Sequence, residues 1–233
     1  MAAPAGPLIA VVQARMGSQR LPGKVLEPIG ATPMLGHVLD RLARCRTLDA
    51  VAVATSDQPG EDPVADYAAQ RGTPVVRGPL DDVAGRFLTA AAQLGAAVIV
   101  RISGDSPFMD PALVDHAVGL LDDGCDLVTN VRPRSFPPGE SVEVLRVAAL
   151  AAAHPRMDPE DREHVTPRLY RPQEGLRIRH FAAERDYGVL RLTVDTPQEL
   201  AFARALVARM DPARDPAGYG LDEIADLAAE VVA

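Results

Sequence analysis

Short apolar runs that alternate with helix-period segments predict an α/β fold on a mostly parallel sheet. Two further observations support that class. Several helical segments open on a capping residue followed by proline, the arrangement of helices that start cleanly after a strand. The chain also has 233 residues, 47% hydrophobic and 24% charged, enough to bury a substantial core. It reads as one domain over 1–233 with a small insertion at about 131–188.

The elements follow in order. Leu8–Gln13 is the first strand, then Ala50–Ala54, Thr73–Val76, Ala97–Ile102 and Asp126–Thr129. Helices are expected at Pro33–Cys45, Asp62–Arg71, Asp81–Leu94 and Pro111–Leu121, each with apolar residues at helical spacing. Thr32 and Asp110 stand where caps of the first and last of these would stand. The proline-rich segment Val131–Gly139 breaks the alternation and is expected to leave the sheet edge. Beyond it, Ser141–Arg146 and Leu176–Phe181 read as strands and Val147–His154 and Asp158–Tyr170 as helices. Val189–Val194 reads as a buried strand returning to the main sheet, followed by helices at Pro197–Met210 and Leu221–Val232.

Charge narrows the function. Acidic residues outnumber basic ones by 32 to 24, a net charge of −8, and aromatic residues make up 4% with no tryptophan. Such a surface repels a polyphosphate backbone and offers few stacking platforms, so nucleic acid is not an expected partner. Cys45 and Cys125 lack metal-ligand spacing and read as free thiols. The amino-terminal run MAAPAGPLIAVV has neither a basic leader nor the length of a membrane span, so a cytoplasmic protein without membrane contact is expected.

The loop after the first strand is the most informative stretch. From Gln13 to Leu26 it carries Arg15, Arg20 and Lys24 and no acid, with Gly17, Ser18 and Gly23 among them. In an acidic protein this is a local positive basin, placed where open α/β sheets bind ligands, and it suits a phosphate chain. It is not a Walker A loop, since five residues separate Gly17 from Gly23 and Val25 follows Lys24, and no dinucleotide fingerprint occurs. The plainer alternative is a solvated basic turn.

Asp105 and Asp195 each follow an apolar run. Capping is the ordinary employment of such residues, but Thr196 with Glu199 already makes a capping box and Asp110 caps its own helix. Both carboxylates are therefore spare. Two spare carboxylates beside a phosphate basin suit Mg²⁺, which takes one or two carboxylates and completes its shell with water and phosphate oxygens. The five histidines lack zinc spacing and read as structural, and no serine sits in a nucleophile elbow. The stretch Asp158–His164 reads equally well as a solvated helix start or as functional.

Taken together, VVQARMGSQRLPGKVL, VVRGPLDDVAGRF, RISGDSPFMD, FPPGESVEV, REHVTP and LTVDTPQEL resemble the CTP-dependent sugar-acid cytidylyltransferases, the group of the CMP-Kdo and CMP-sialic acid synthetases. Within that group they are most similar to the spore coat polysaccharide SpsF-like branch. The resemblance implies a three-layer nucleotide-diphospho-sugar transferase fold, GT-A-like and Rossmann-like, dimeric through the inserted region. It implies that Arg15, Ser18 and Lys24 hold the CTP phosphates, with Gly17 and Arg20 in the same loop, and that Asp105 and Asp195 bind Mg²⁺. Gln13 and Ala14, with Ser56 and Arg77, would line the cytidine pocket. Glu143 and the stretch Arg162–Thr166, with Arg162 and His164 foremost, would lie near an acidic sugar-like acceptor or the dimer interface.

The reaction so implied is attack of an acceptor hydroxyl on the α-phosphorus of CTP with loss of pyrophosphate, catalysed by Arg15, Lys24 and Asp105. The alternatives are a glycosyltransferase using a nucleotide-sugar, a nucleotidyltransferase for a phosphonate or alditol phosphate, and a non-catalytic nucleotide-binding protein. The first usually carries an Asp-x-Asp metal motif, which Asp105-Ser106-Pro107 does not supply.

Overall fold

The computed structural model describes residues 6–232, with side chains to Val231; the first five residues of the amino-terminal run lie outside the described residues. Strand β1 (Leu8–Gln13) lies inside a seven-stranded sheet, between β4 and β6. The chain then makes a two-residue hairpin, β2 (Pro28–Ile29) with β3 (Thr32–Pro33), before helix α1 (Met34–Leu42). Next come β4 (Ala50–Ser56), α2 (Asp62–Gln70), β5 (Val75–Gly78), α3 (Val83–Leu94), β6 (Val98–Ser103), α4 (Pro111–Gly119) and β7 (Leu127–Thr129). The remainder supplies β8 (Glu143–Arg146), α5 (Val147–Ala153), α6 (Pro159–His164), β9 (Ile178–His180), α7 (Pro197–Val207) and α8 (Leu221–Val232).

The strand order is β5-β4-β1-β6-β8-β7-β9, and β8 alone runs against the others. Residues of β1 alternate between faces. Leu8, Ala10 and Val12 pack with Leu35 and Val38 of α1, Val64 of α2 and Val114 of α4, while Ile9 and Val11 pack with Phe87 and Ala90 of α3 and Leu150 of α5. Burial on both faces is why these strands read as unbroken apolar runs. Helices α7 and α8 close a third cluster over Met34, Phe108, Leu192 and Val194 beside the main sheet. From β1 the chain passes to β4 on one side and later to β6 on the other, so the sheet switches direction at the carboxyl end of β1. No helix among the described residues is long and apolar enough to cross a membrane.

Four expectations are corrected. Thr32 does not cap α1: it pairs with Ile29 in the hairpin, Pro33 takes the cap position, and the Met34 N–H finds the Glu27 carbonyl instead. Val189–Val194 is not a strand. Val189 is exposed, and the buried Leu192 and Val194 donate to the carbonyls of Pro138 and Asp105, which belong to loops. Asp158–Tyr170 is not one helix, because α6 ends at Val165, whose φ of 69° is left-handed, and a 3₁₀ turn at Pro167–Tyr170 follows. Pro167 has no N–H to continue the ladder. Finally, the region 131–188 supplies β8 and β9 to the central sheet, with β8 wedged between β6 and β7.

Candidate active site

A cavity of about 700 Å³ opens at the switch point beyond the carboxyl ends of β1, β4, β5 and β6, the place where open α/β sheets hold ligands. Its floor is Gln13 and Ala14 from β1 and its exit, with Ser103, Gly104 and Asp105 from the exit of β6. Gly104 allows this junction: a Cβ there would sit 3.0 Å from both the Gln13 carbonyl oxygen and Ala14 Cβ, and its N–H donates to Gln13 at 2.8 Å.

The basic loop is held by its own hydrogen bonds. The Met16 carbonyl accepts from the N–H groups of Ser18 and Gly23, both at 2.9 Å, and Gly23 turns left-handed at φ 72° into a 3₁₀ turn that starts at Lys24. The buried Glu61, in the 3₁₀ turn after β4, anchors the loop, its carboxylate accepting from the Met16 N–H at 2.7 Å and the Thr55 hydroxyl at 3.1 Å. Arg15, Gly17, Ser18, Gln19, Arg20 and Lys24 all line the cavity.

The two aspartates expected to be spare are so, and they converge. The Thr196–Glu199 capping box forms, Glu199 also accepts from the Asp195 N–H at 2.8 Å, and Asp110 caps α4. The Asp195 side chain is left to meet Lys24 Nζ at 2.6 Å and Arg20 at 2.9 Å, and Asp105 meets the same ammonium at 3.0 Å. Val194 N–H donates to the Asp105 carbonyl at 2.9 Å, which ties the two backbones together. Partial burial pushes the Asp195 carboxyl up, but the hydrogen bond and charge of Lys24, then Arg20, outweigh this and hold it below the usual carboxylate range.

These two carboxylates fit a divalent cation: both are hard oxygen donors and share one cationic partner. Among the described residues no three His, Cys, Asp or Glu gather into a protein cage. The rest of the shell of such an ion would fall to water and phosphate.

Of the residues expected near the acceptor, His164 lines the cavity and Glu143 and Arg162 do not. Arg162 donates to Asp82 at 2.8 Å, tying α6 to the cap of α3, and Glu143 is buried, accepting from Arg101 at 2.7 Å and Thr166 at 3.1 Å. Ser56 and Arg77 are likewise outside the lining. Arg77 holds the Ser56 carbonyl at 3.1 Å, the Gln58 carbonyl at 2.8 Å and Asp62 at 2.6 Å, so it braces the loop that delivers Gln58 and Glu61.

Two charged lining residues, Glu61 and Arg86, were not anticipated, and a third, Glu163, only as part of the Arg162–Thr166 stretch. Glu61 closes the loop from below, and Glu163 pairs with Arg15 at 2.7 Å. Arg86 is nearly inaccessible, donates to the Leu80 carbonyl at 3.0 Å, and has a buried Nε with no partner among the described residues. Position could have suggested Glu61 and Arg86, since they follow the carboxyl ends of β4 and β5, the two strands on one side of β1. Glu163 lies in the charged Asp158–His164 stretch, but its pairing with Arg15 arises only because α6 packs on α3.

Comparison with known proteins agrees with this geometry. A family model described as Cytidylyltransferase matches residues 9–223. The chain is 32% identical over 216 residues to the spore coat polysaccharide biosynthesis protein SpsF of Bacillus subtilis (strain 168), covering 85% of each. It is 31% identical over 144 residues to a 3-deoxy-manno-octulosonate cytidylyltransferase of Anaeromyxobacter sp. (strain K), covering 61% of this chain and 58% of that one. Among solved structures, a cytidylyltransferase from Leptospira borgpetersenii serovar Hardjo-bovis superposes with a TM-score of 0.89 at 28% identity, over 96% of this chain and 94% of the other. A sheet that switches direction at a basic loop, with two aspartates gathered on its lysine and a family match over nearly the whole chain, makes this protein a member of the cytidylyltransferase family, the CTP-dependent nucleotidyltransferases.

Proposed function

We propose that the protein transfers CMP from CTP to a hydroxyl of a sugar acid or related acidic acceptor, releasing pyrophosphate, in the making of a surface polysaccharide or glycoconjugate. The observation that carries this reading is the convergence of Lys24, Asp105 and Asp195 at the mouth of the basic loop. Arg15, Ser18, Arg20 and Lys24 bind the triphosphate, and the backbone of Gly17 lets it approach. Gln13 and Ala14, with Arg86 and the Gln58–Glu61 loop beside them, face the nucleoside. Asp105 and Asp195 hold Mg²⁺, which when bound neutralises charge on the phosphate oxygens. His164, at the end of α6, faces the acceptor. The chain acts as one domain, a cytoplasmic homodimer.

No covalent nucleophile is required. The acceptor oxygen displaces pyrophosphate in line at the α-phosphorus, so the work of the protein is positioning and stabilisation of charge spreading over phosphate oxygens. The loop suits that work because its backbone is fixed by its own hydrogen bonds, so the groups it carries stay on one side of the cavity.

Thermal unfolding with Mg²⁺ and each of CTP, ATP, GTP and UTP in turn tests the reading. A ligand that binds the native state raises the midpoint by mass action, by about 2.7 kcal/mol of stability at a hundredfold excess over Kd. The expected result is an upward shift confined to CTP. A shift with another nucleotide alone, or with none, overturns the assignment. Asp105→Asn, which removes a charge and little volume, is expected to fold normally and to lose the Mg²⁺-dependent part of the CTP shift.

A further inference from the structure

Lys24 stands in an unusual position for a phosphate-binding lysine, because its ammonium already has two anionic partners. It lies 2.6 Å from Asp195 and 3.0 Å from Asp105, and its side chain is only 10% exposed. Arg20, which also touches Asp195, is 63% exposed by the same measure. Asp105 and Asp195 are the two carboxylates assigned above to a divalent cation. An ammonium and a dication compete for the same pair of carboxylates, since both draw on the same oxygens and they repel one another at contact distance.

The lysine is built to move while its root stays fixed. Its backbone is held by the left-handed Gly23 and the 3₁₀ turn, whereas its four-carbon stem carries a compact point charge that can swing between acceptors. A triphosphate in the loop offers that charge a second set of oxygens within the same cavity.

We propose that Lys24 is an exchangeable internal counterion of the Asp105–Asp195 pair: it holds the two carboxylates together until a triphosphate draws its ammonium away and leaves them to a divalent cation. The inference rests on the nucleotide and metal reading given above. Metal and nucleotide binding are thereby coupled through one side chain, and by linkage each strengthens the other by the same factor. Arg20 acts in the same sense at Asp195, more weakly because water already screens it. The coupling disfavours metal without nucleotide, which keeps the carboxylates paired until substrate is present.

The distinguishing consequence is an inverted sign. A lysine that only binds phosphate would, when removed, weaken nucleotide binding and leave metal binding alone. A lysine that occupies the metal carboxylates would, when removed, improve metal binding in the absence of nucleotide. Mn²⁺ is the probe, followed by the electron paramagnetic resonance of the free ion, in wild type, Lys24→Met, Arg20→Met and Asp105→Asn, with and without CTP and against a CTP blank. Lys24→Met is expected to bind Mn²⁺ without nucleotide at least about fivefold more tightly than wild type, the lower end of ordinary site-to-site coupling. CTP is expected to tighten Mn²⁺ binding in wild type and to do so far less in Lys24→Met.

Wild-type Mn²⁺ affinity in nucleotide-free Lys24→Met overturns the proposal. Should the unpaired aspartates keep that variant from folding, Arg20→Met decides. Tighter Mn²⁺ binding by the exposed-site variant supports the proposal, and unchanged or weaker binding overturns it. Asp105→Asn reports separately on the underlying reading. If Mn²⁺ binds Asp105→Asn as tightly as wild type in the presence of CTP, Asp105 is not a ligand and that reading fails. If Asp105→Asn binds poorly and Lys24→Met shows no gain, the reading stands and only the counterion role falls.

Discussion

Gly139→Ala tests whether the turn at Pro138–Glu140 is the support of the aspartate pair. Gly139 has φ 108°, and a Cβ on it would lie 2.6 Å from the carbonyl carbon of Leu192, 2.8 Å from its Cβ and 2.9 Å from its oxygen. None of these is the far end of a flexible side chain, and the Leu192 N–H is itself bonded to the Pro138 carbonyl. The backbone must therefore shift. A positive φ costs an L-residue about 1–2 kcal/mol and overpacking about 1–3 kcal/mol more, so the variant should lose about 2–5 kcal/mol. In a chain of this size each kcal/mol moves Tm by about 2–4 °C, which puts the expected fall on the order of 10 °C. Function should suffer beyond stability, because Leu192 and Val194 lead directly into Asp195 and Val194 is bonded to Asp105. Misplacing a catalytic group by about 1 Å can cost about a hundredfold. Calorimetry gives Tm, and the Mg²⁺-dependent CTP shift gives the state of the site. A variant with Tm within about 2 °C of wild type and an unchanged CTP shift would refute the reasoning.

Three further outcomes are expected. Burial pushes the Glu140 carboxyl up to about 8, so the native state holds a proton that the unfolded chain has released, and stability falls as pH climbs from the ordinary carboxylate range toward 8; Glu140→Gln, which can still accept from the Asp110 N–H, should match wild type in Tm at pH 5 and exceed it at pH 8, and a lower Tm at pH 8 would count against this. Glu163→Gln frees Arg15 from a partly exposed ion pair worth up to about 1 kcal/mol, so CTP should bind up to about fivefold more tightly in calorimetry; weaker binding would mean that Glu163 positions Arg15 instead of competing for it. Burial, with Asp115 and Asp110 nearby, pushes the Cys45 thiol up to about 12 and Cys125 is buried outright, so iodoacetamide at pH 8 should leave both unmodified in the native protein, as mass spectrometry would show.

Much of the molecule follows from signals a few residues long. β1 and α8 fall where apolar period and flanking residues put them, and the caps at Asp110 and Thr196 form as their spacing requires. The helix caps also carried a functional deduction: once Thr196–Glu199 and Asp110 satisfy the helix ends, Asp105 and Asp195 have no capping task, and the structure brings both to Lys24. The acid-free run from Gln13 to Leu26 marked the positively charged loop that lines the cavity, because a concentration of charge is a property of the chain itself.

What the sequence could not determine is which distant groups would meet that loop. The run from Gln13 to Leu26 holds no acid, yet in the fold Arg15 meets Glu163, Lys24 meets both aspartates and Met16 rests on Glu61. The run Val189–Val194 has the alternation of a strand, but alternation reports burial of every second side chain, and here a loop buries them instead of a neighbouring strand. Arg77, Glu143 and Arg162 carry the charges a ligand site wants, and each is consumed by a partner far along the chain. Period, caps and charge runs are local and so are fixed by the order of residues. Which charge is left free for a substrate is a matter of pairing across the fold, and only the packing of α6 on α3 and of the 192–195 segment against the β6 exit decided it.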